Sequence, residues 1–138
     1  MMALVPPQLV LSLDRAALSG LYPWLEAECL ALGMAERALQ RLHVAVEEAV
    51  MNVAMHAYGP DTDGKIWLTI TRQGDSVVVS VEDEGRHFDP ASAPLDDKST
   101  PPRDVGGLGL KLLRHYCPDV TYRREQGRNR LEMPFALK

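Results

Sequence analysis

The sequence predicts a two-layer α/β sandwich, one domain over residues 1–138 in which about three helices cover a mixed, mostly antiparallel sheet of about five strands. Two patterns carry this expectation. Residues 35–58 place Leu39, Leu42, Val46, Ala49, Val50, Val53 and Ala57 on one arc at about 100° per residue, the spacing of a helix with one buried face. Most of the strand-like segments come in consecutive pairs joined by short glycine turns, which favours an antiparallel sheet over a doubly wound parallel one. A length of 138 residues matches about one domain with one core.

Along the chain, Leu9-Val10-Leu11-Ser12-Leu13 reads as the first strand. Asp14 is a good N-cap for a helix over 15–32, within which Gly20 and Pro23 predict a kink or a late start and after which Gly33 supplies the stop. The helix over 35–58 comes next and ends at Gly59-Pro60, because proline cannot continue it. Residues 65–73 alternate through Ile66, Leu68 and Ile70, residues 77–81 through Val77, Val79 and Val81, and Gly74-Asp75 joins them as a hairpin. Across 86–105 the periodicity collapses and Pro90, Pro94, Pro101 and Pro102 accumulate, the mark of a functional lid or a disordered segment. Gly106-Gly107-Leu108-Gly109 then opens a helix through Leu110, Leu112, Leu113 and Tyr116, which Pro118 ends. Residues 120–124 and 130–136 form a last hairpin around Gln126-Gly127-Arg128-Asn129.

A composition of 46% apolar and 25% charged residues excludes a disordered or fibrous chain. Fifteen basic and nineteen acidic residues leave a net charge of −4, yet residues 103–138 carry eight basic against four acidic ones. A basic end on an acidic chain suits a local anionic ligand or a solvated charged face. A nucleic-acid-binding domain would be basic as a whole, so direct contact with nucleic acid is not expected. With two cysteines, no leader-like start and no apolar run of the ~18 residues that span a bilayer, the chain is expected to be reduced, cytoplasmic and without a membrane partner.

Three features carry chemistry. On the long helix Glu48 and Asn52 are neighbours, and taking Glu48 as the origin Asn52 lies at about 40° and His56 at about 80°, along the border of the apolar arc. A carboxylate half shielded there can act as a general base, and an amide oxygen is a suitable hard ligand for Mg²⁺; the same residues also suit the polar flank of an amphipathic helix. Asp83 leaves a strand with Gly85 two residues later, which is either a turn or a fixed acceptor beside a backbone that a flat ligand can approach closely. Gly106-Gly107-Leu108-Gly109 at a helix start, followed by Lys111 and Arg114, favours phosphate through free N–H groups and the helix dipole, and is also compatible with a tight loop-to-helix junction. No Walker phosphate loop and no protein-kinase signature set is present.

The order of these features resembles the GHKL ATP-binding superfamily, and within it the anti-sigma-factor serine kinases. Glu48-Ala49-Val50-Met51-Asn52 with His56-Ala57-Tyr58-Gly59 is similar to the N box, Asp83-Glu84-Gly85 with Phe88-Asp89-Pro90 to the G1 box, Gly107-Leu108-Gly109-Leu110 to the G2 box, and Gly127-Arg128-Asn129-Arg130-Leu131 to the closing hairpin. The resemblance covers nearly the whole chain. It implies the Bergerat sandwich with ATP under a lid at about 86–106, Asn52 on Mg²⁺, Asp83 on the adenine amino group, Gly85 bordering the base, Gly107 and Gly109 lining the phosphate site, and Phe88, Leu108 and Lys111 as further nucleotide-binding residues. It implies Glu48 as the base that deprotonates a serine on a small, STAS-type anti-anti-sigma antagonist, a sigma factor as the second partner, and a homodimer. The alternative is an ATP-binding protein that sequesters a sigma factor or response regulator without turnover. Two positions depart from the family pattern: His87 stands where glycine or proline is usual, and the nearest basic residue before the G2 glycines is Arg103.

Overall fold

The computed structural model describes residues 6–12, 18–59, 64–92 and 105–138, with the backbone alone for 105–108. Strands β1 (Gln8–Ser12), β2 (Lys65–Gln73), β3 (Ser76–Asp83), β4 (Thr121–Glu125) and β5 (Arg128–Ala136) form one sheet in the order β1-β2-β3-β5-β4. Helices α1 (Leu21–Ala31), α2 (Glu36–Asn52) and α3 (Val105–Tyr116) complete the α/β fold. The expectation of a mixed sheet is corrected, since all four described pairings are antiparallel. Among the described residues, α1 and α2 lie between β1 and β2, which run in opposite directions, and α3 lies between β3 and β4, which run the same way with β5 between them.

Helix α1 begins at Leu21, after the turn at Ser19-Gly20, which places Pro23 in the first turn where a missing N–H removes no helical bond. It ends in a Schellman motif: Gly33 at φ 91° donates to Leu30, and Met34 donates to Cys29. Helix α2 is α-helical only to Asn52. Residues Val53–Tyr58 widen into a π-helical turn, a correction to the single helix expected over 35–58, and Gly59 at φ 94° closes it by donating to Ala54.

Alternation in the strands puts Ile66, Leu68, Ile70, Val77, Val79, Val81, Leu131, Met133 and Phe135 on the helix side, against Leu39, Leu42, Val46, Ala49 and Val50 of α2 and Leu113 of α3. The other face is polar, with Arg130 bonded to Glu82 at 2.6 Å and Arg128 stacked 4.1 Å over Trp67. The last hairpin is tighter than expected. Its turn is Gln126-Gly127, both at positive φ as a two-residue hairpin turn requires, and β5 begins at Arg128, so Asn129 is a strand residue. Among the described residues no helix is long and apolar enough to cross a membrane.

Candidate functional site

Sheet register sets the first half of the site. Leu11, Ile66, Asp83, Asn129 and Arg124 form one cross-strand row, on the side that faces the helices. Asp83, the last residue of β3, is therefore buried, and its Oδ1 accepts from the Gly85 N–H and from Asn129 Nδ2, both at 2.8 Å. Burial pushes its carboxyl above the usual value, opposed by these two bonds and by the Arg124 guanidinium.

The loop after Asp83 is tied to the end of the long helix. A Cβ on Gly85 would stand 2.5 Å from the Ala57 carbonyl oxygen, so only glycine permits this approach. Arg86 donates its backbone N–H to the Ala57 carbonyl at 2.9 Å and its Nε to the His56 carbonyl at 2.7 Å, satisfying two acceptors that a helix C-terminus leaves open. The Tyr58 hydroxyl accepts from the Glu84 N–H and donates to the Lys65 carbonyl. The His56 ring stacks on Phe88 at 4.8 Å, and Arg114 of α3 donates to the Pro90 carbonyl. Gly85→Ala is expected to force this loop from the helix at a loss of about 2 kcal/mol, read as a lowered Tm.

Helix α2 and helix α3 build the second half. Asn52 is buried, its Nδ2 donates to the Glu48 carbonyl at 2.7 Å, and among the described residues its Oδ1 has no partner. A buried amide oxygen without a donor is uncommon, and its chemistry fits a hard divalent cation. Glu48 is half-buried, and its carboxyl is raised by burial and, second, by Glu47. A Cβ on Gly109 would collide with the Glu48 carboxylate and approach Asn52 Nδ2 to 3.5 Å. The glycine thus leaves room for the carboxylate between the helices. Gly109 is the fifth residue of α3 as described, and the residues before Val105 lie outside the described ones.

The long helix therefore carries both halves: Glu48 and Asn52 face the start of α3, while His56 and Ala57 hold the loop after Asp83. Lys111 is exposed. The Leu108 side chain, most of the expected lid (93–104) and Arg103 lie outside the described residues. His87 is exposed and edge-on to Tyr122. A hollow of about 470 Å³ is lined by Ala57, Tyr58, Lys65, Gly85 and Arg86 among others; neither Asn52 nor Asp83 lines it. Among the described residues no three His, Cys, Asp or Glu side chains come together as a metal site. The two cysteines are free and buried, with thiols pushed up by burial to about 11 at Cys29 and about 12 at Cys117.

Sequence reasoning missed Asn129 and Arg86. Asn129, two residues after Gly127, reads as part of the turn at 126–129, and only the register and the widened helix end reveal the bonds that it and Arg86 make.

Residues 11–135 match the model of the histidine kinase-like ATPase domain. The chain is 31% identical over 112 residues to the serine/threonine-protein kinase BtrW of Bordetella bronchiseptica, covering 80% of this chain and 79% of the relative. It is 30% identical over 122 residues to the serine-protein kinase RsbW of Listeria monocytogenes, covering 84% and 73%. The anti-sigma F factor of Bacillus velezensis is 29% identical over 86 residues, covering 60% and 58%. With the match running from within β1 to within β5 and including α1, α2 and α3, the chain belongs to the histidine kinase-like ATPase family, in its anti-sigma-factor serine kinase branch.

Proposed function

We propose that the chain is an ATP-dependent protein serine kinase that acts as an anti-sigma factor in a partner-switching circuit, phosphorylating a serine of a small STAS-type antagonist and binding a sigma factor. The observation that carries the reading is Asn52: a buried amide with an unpartnered oxygen, one helical turn from the half-buried carboxylate of Glu48 and beside Gly109 of α3. In this reading Asn52 Oδ1 holds Mg²⁺, which when bound neutralises charge on the transferring phosphoryl group. Glu48 takes the proton of the attacking serine hydroxyl, and its burial favours that role by raising its affinity for the proton. Asp83 accepts from the adenine amino group. With Oδ1 already holding two donors, Oδ2 is the oxygen that serves. Gly85 and Phe88 border the base, and the start of α3 with Gly107, Leu108, Gly109 and Lys111 stands at the phosphates. A homodimer in the cytoplasm, with no nucleic acid or membrane contact, completes the proposal.

The test is incubation of the full chain with Mg²⁺, ATP and candidate antagonist proteins, followed by mass spectrometry of the antagonist. One phosphoserine that requires ATP is expected. Tight ATP binding with no phosphoserine on any candidate leaves the sequestering role without turnover.

A further inference from the structure

The inner face of β5 is apolar at Leu131, Met133 and Phe135, and its one polar member among the described residues is Asn129, which is 2% exposed. Burying an amide there costs desolvation unless its hydrogen bonds are made. Its four hydrogen-bonding capacities are all used. Nδ2 donates to Asp83 Oδ1 and to the Arg86 carbonyl, both at 2.8 Å; Oδ1 accepts from Arg124 Nη1 at 2.8 Å and from the Tyr122 hydroxyl. The two donors from β4 fix which end of the amide faces Asp83. Arg124 also donates to the Gly85 carbonyl at 2.9 Å, so the amide and the guanidinium together hold the backbone on which Gly85 sits. The Arg86 carbonyl that Asn129 grips belongs to the same residue that caps His56 and Ala57 at the end of the long helix. A chain of hydrogen bonds thus runs from Asp83 through Asn129 and Arg86 to the long helix.

We propose that Asn129 is a positioning residue for the base end of the nucleotide site: it fixes the carboxylate of Asp83, leaving one oxygen for the ligand, and locks the Gly85-Arg86 backbone to that carboxylate. The proposal rests on the nucleotide reading above. It assigns Asn129 to nucleotide affinity, with ADP and ATP affected alike, because the two ligands share the adenosine end.

The test is calorimetric titration of ADP and of ATP into the full chain at pH 6 and pH 8, for the wild type, Asn129→Asp and Tyr122→Phe, with thermal melts alongside. In Asn129→Asp an acceptor replaces the donor that faces Asp83. The groups around it are Asp83 from β3 and Arg124 and Tyr122 from β4. At pH 8 the two carboxylates repel, and at pH 6 a shared proton bridges them, as in paired carboxylates generally. Relative to the wild type, the dissociation constants are expected to rise roughly 100-fold at pH 8 and only about 10-fold at pH 6. Tyr122→Phe, at a half-buried site where the ring is kept, is expected to weaken both ligands about three- to tenfold, and it decides the question if Asn129→Asp does not fold. Wild-type affinity in Tyr122→Phe, a ratio within about threefold at both pH values in Asn129→Asp, or a loss there that is the same at pH 6 and pH 8 overturns the proposal. Failure of the wild type itself to bind either nucleotide overturns the reading on which it rests, and is seen before any variant is made.

Discussion

Glu48→Gln is expected to reduce serine phosphorylation by ~10²–10⁴-fold, the range that general-base catalysis contributes, while leaving the affinity for ATP within about twofold. The substitution keeps the size and hydrogen-bonding reach of the side chain and removes only its capacity to take a proton. The fold tolerates it, because Glu48 contributes its backbone carbonyl to Asn52, and that bond survives in the variant. The carboxylate itself stands against Gly109, where a neutral amide of the same shape fits the same gap. Single-turnover phosphorylation measured beside equilibrium ATP binding separates the two effects. A variant that transfers phosphate at the wild-type rate removes Glu48 from the chemistry.

Asp83→Asn acts at the opposite end of the site and is expected to weaken ATP roughly 10- to 100-fold, the value of one hydrogen bond to a charged acceptor. Its effect on stability runs the other way. Burial raises the Asp83 carboxyl above its ordinary 3.8, so between that value and the raised one the folded chain keeps a proton that the unfolded chain has lost. The stability contributed by that proton is complete below the ordinary value and disappears as pH rises through the raised one. An asparagine does not titrate, and its oxygen can still accept from Gly85 and Asn129. At pH 7 the variant is therefore expected to melt at or above the wild-type temperature while binding ATP poorly. Thermal melts from pH 4 to pH 8 check this. A variant that loses both stability and affinity would place Asp83 in the fold alone.

How much of this was legible in the sequence depends on how local each signal is. The hairpin from Lys65 to Asp83 was legible because alternation and a glycine turn are local, and so was the side of the long helix on which Glu48 and Asn52 stand. The π-helical turn after Asn52 was not, because apolar residues at Val53 and Ala57 suit either helix, and the widening is fixed by the Arg86 and Gly85 contacts of a loop thirty residues away. Gly109 was read from its place at a helix start; the room its absent side chain leaves beside Glu48 was not legible, because it depends on how α3 packs against α2. Asn129 was hidden by a two-residue difference in where the last hairpin turns. Once β5 begins at Arg128, the same asparagine moves from a solvent turn into the row of Asp83.

Titration of ATP into the wild type and Asp83→Asn, each with and without Mg²⁺, tests most directly whether Asp83 and Asn52 serve one nucleotide. One ATP per wild-type chain is predicted, bound more tightly with Mg²⁺, with affinity lost in Asp83→Asn under both conditions. No saturable binding to the wild type, or equal affinity in the two proteins, would contradict the account.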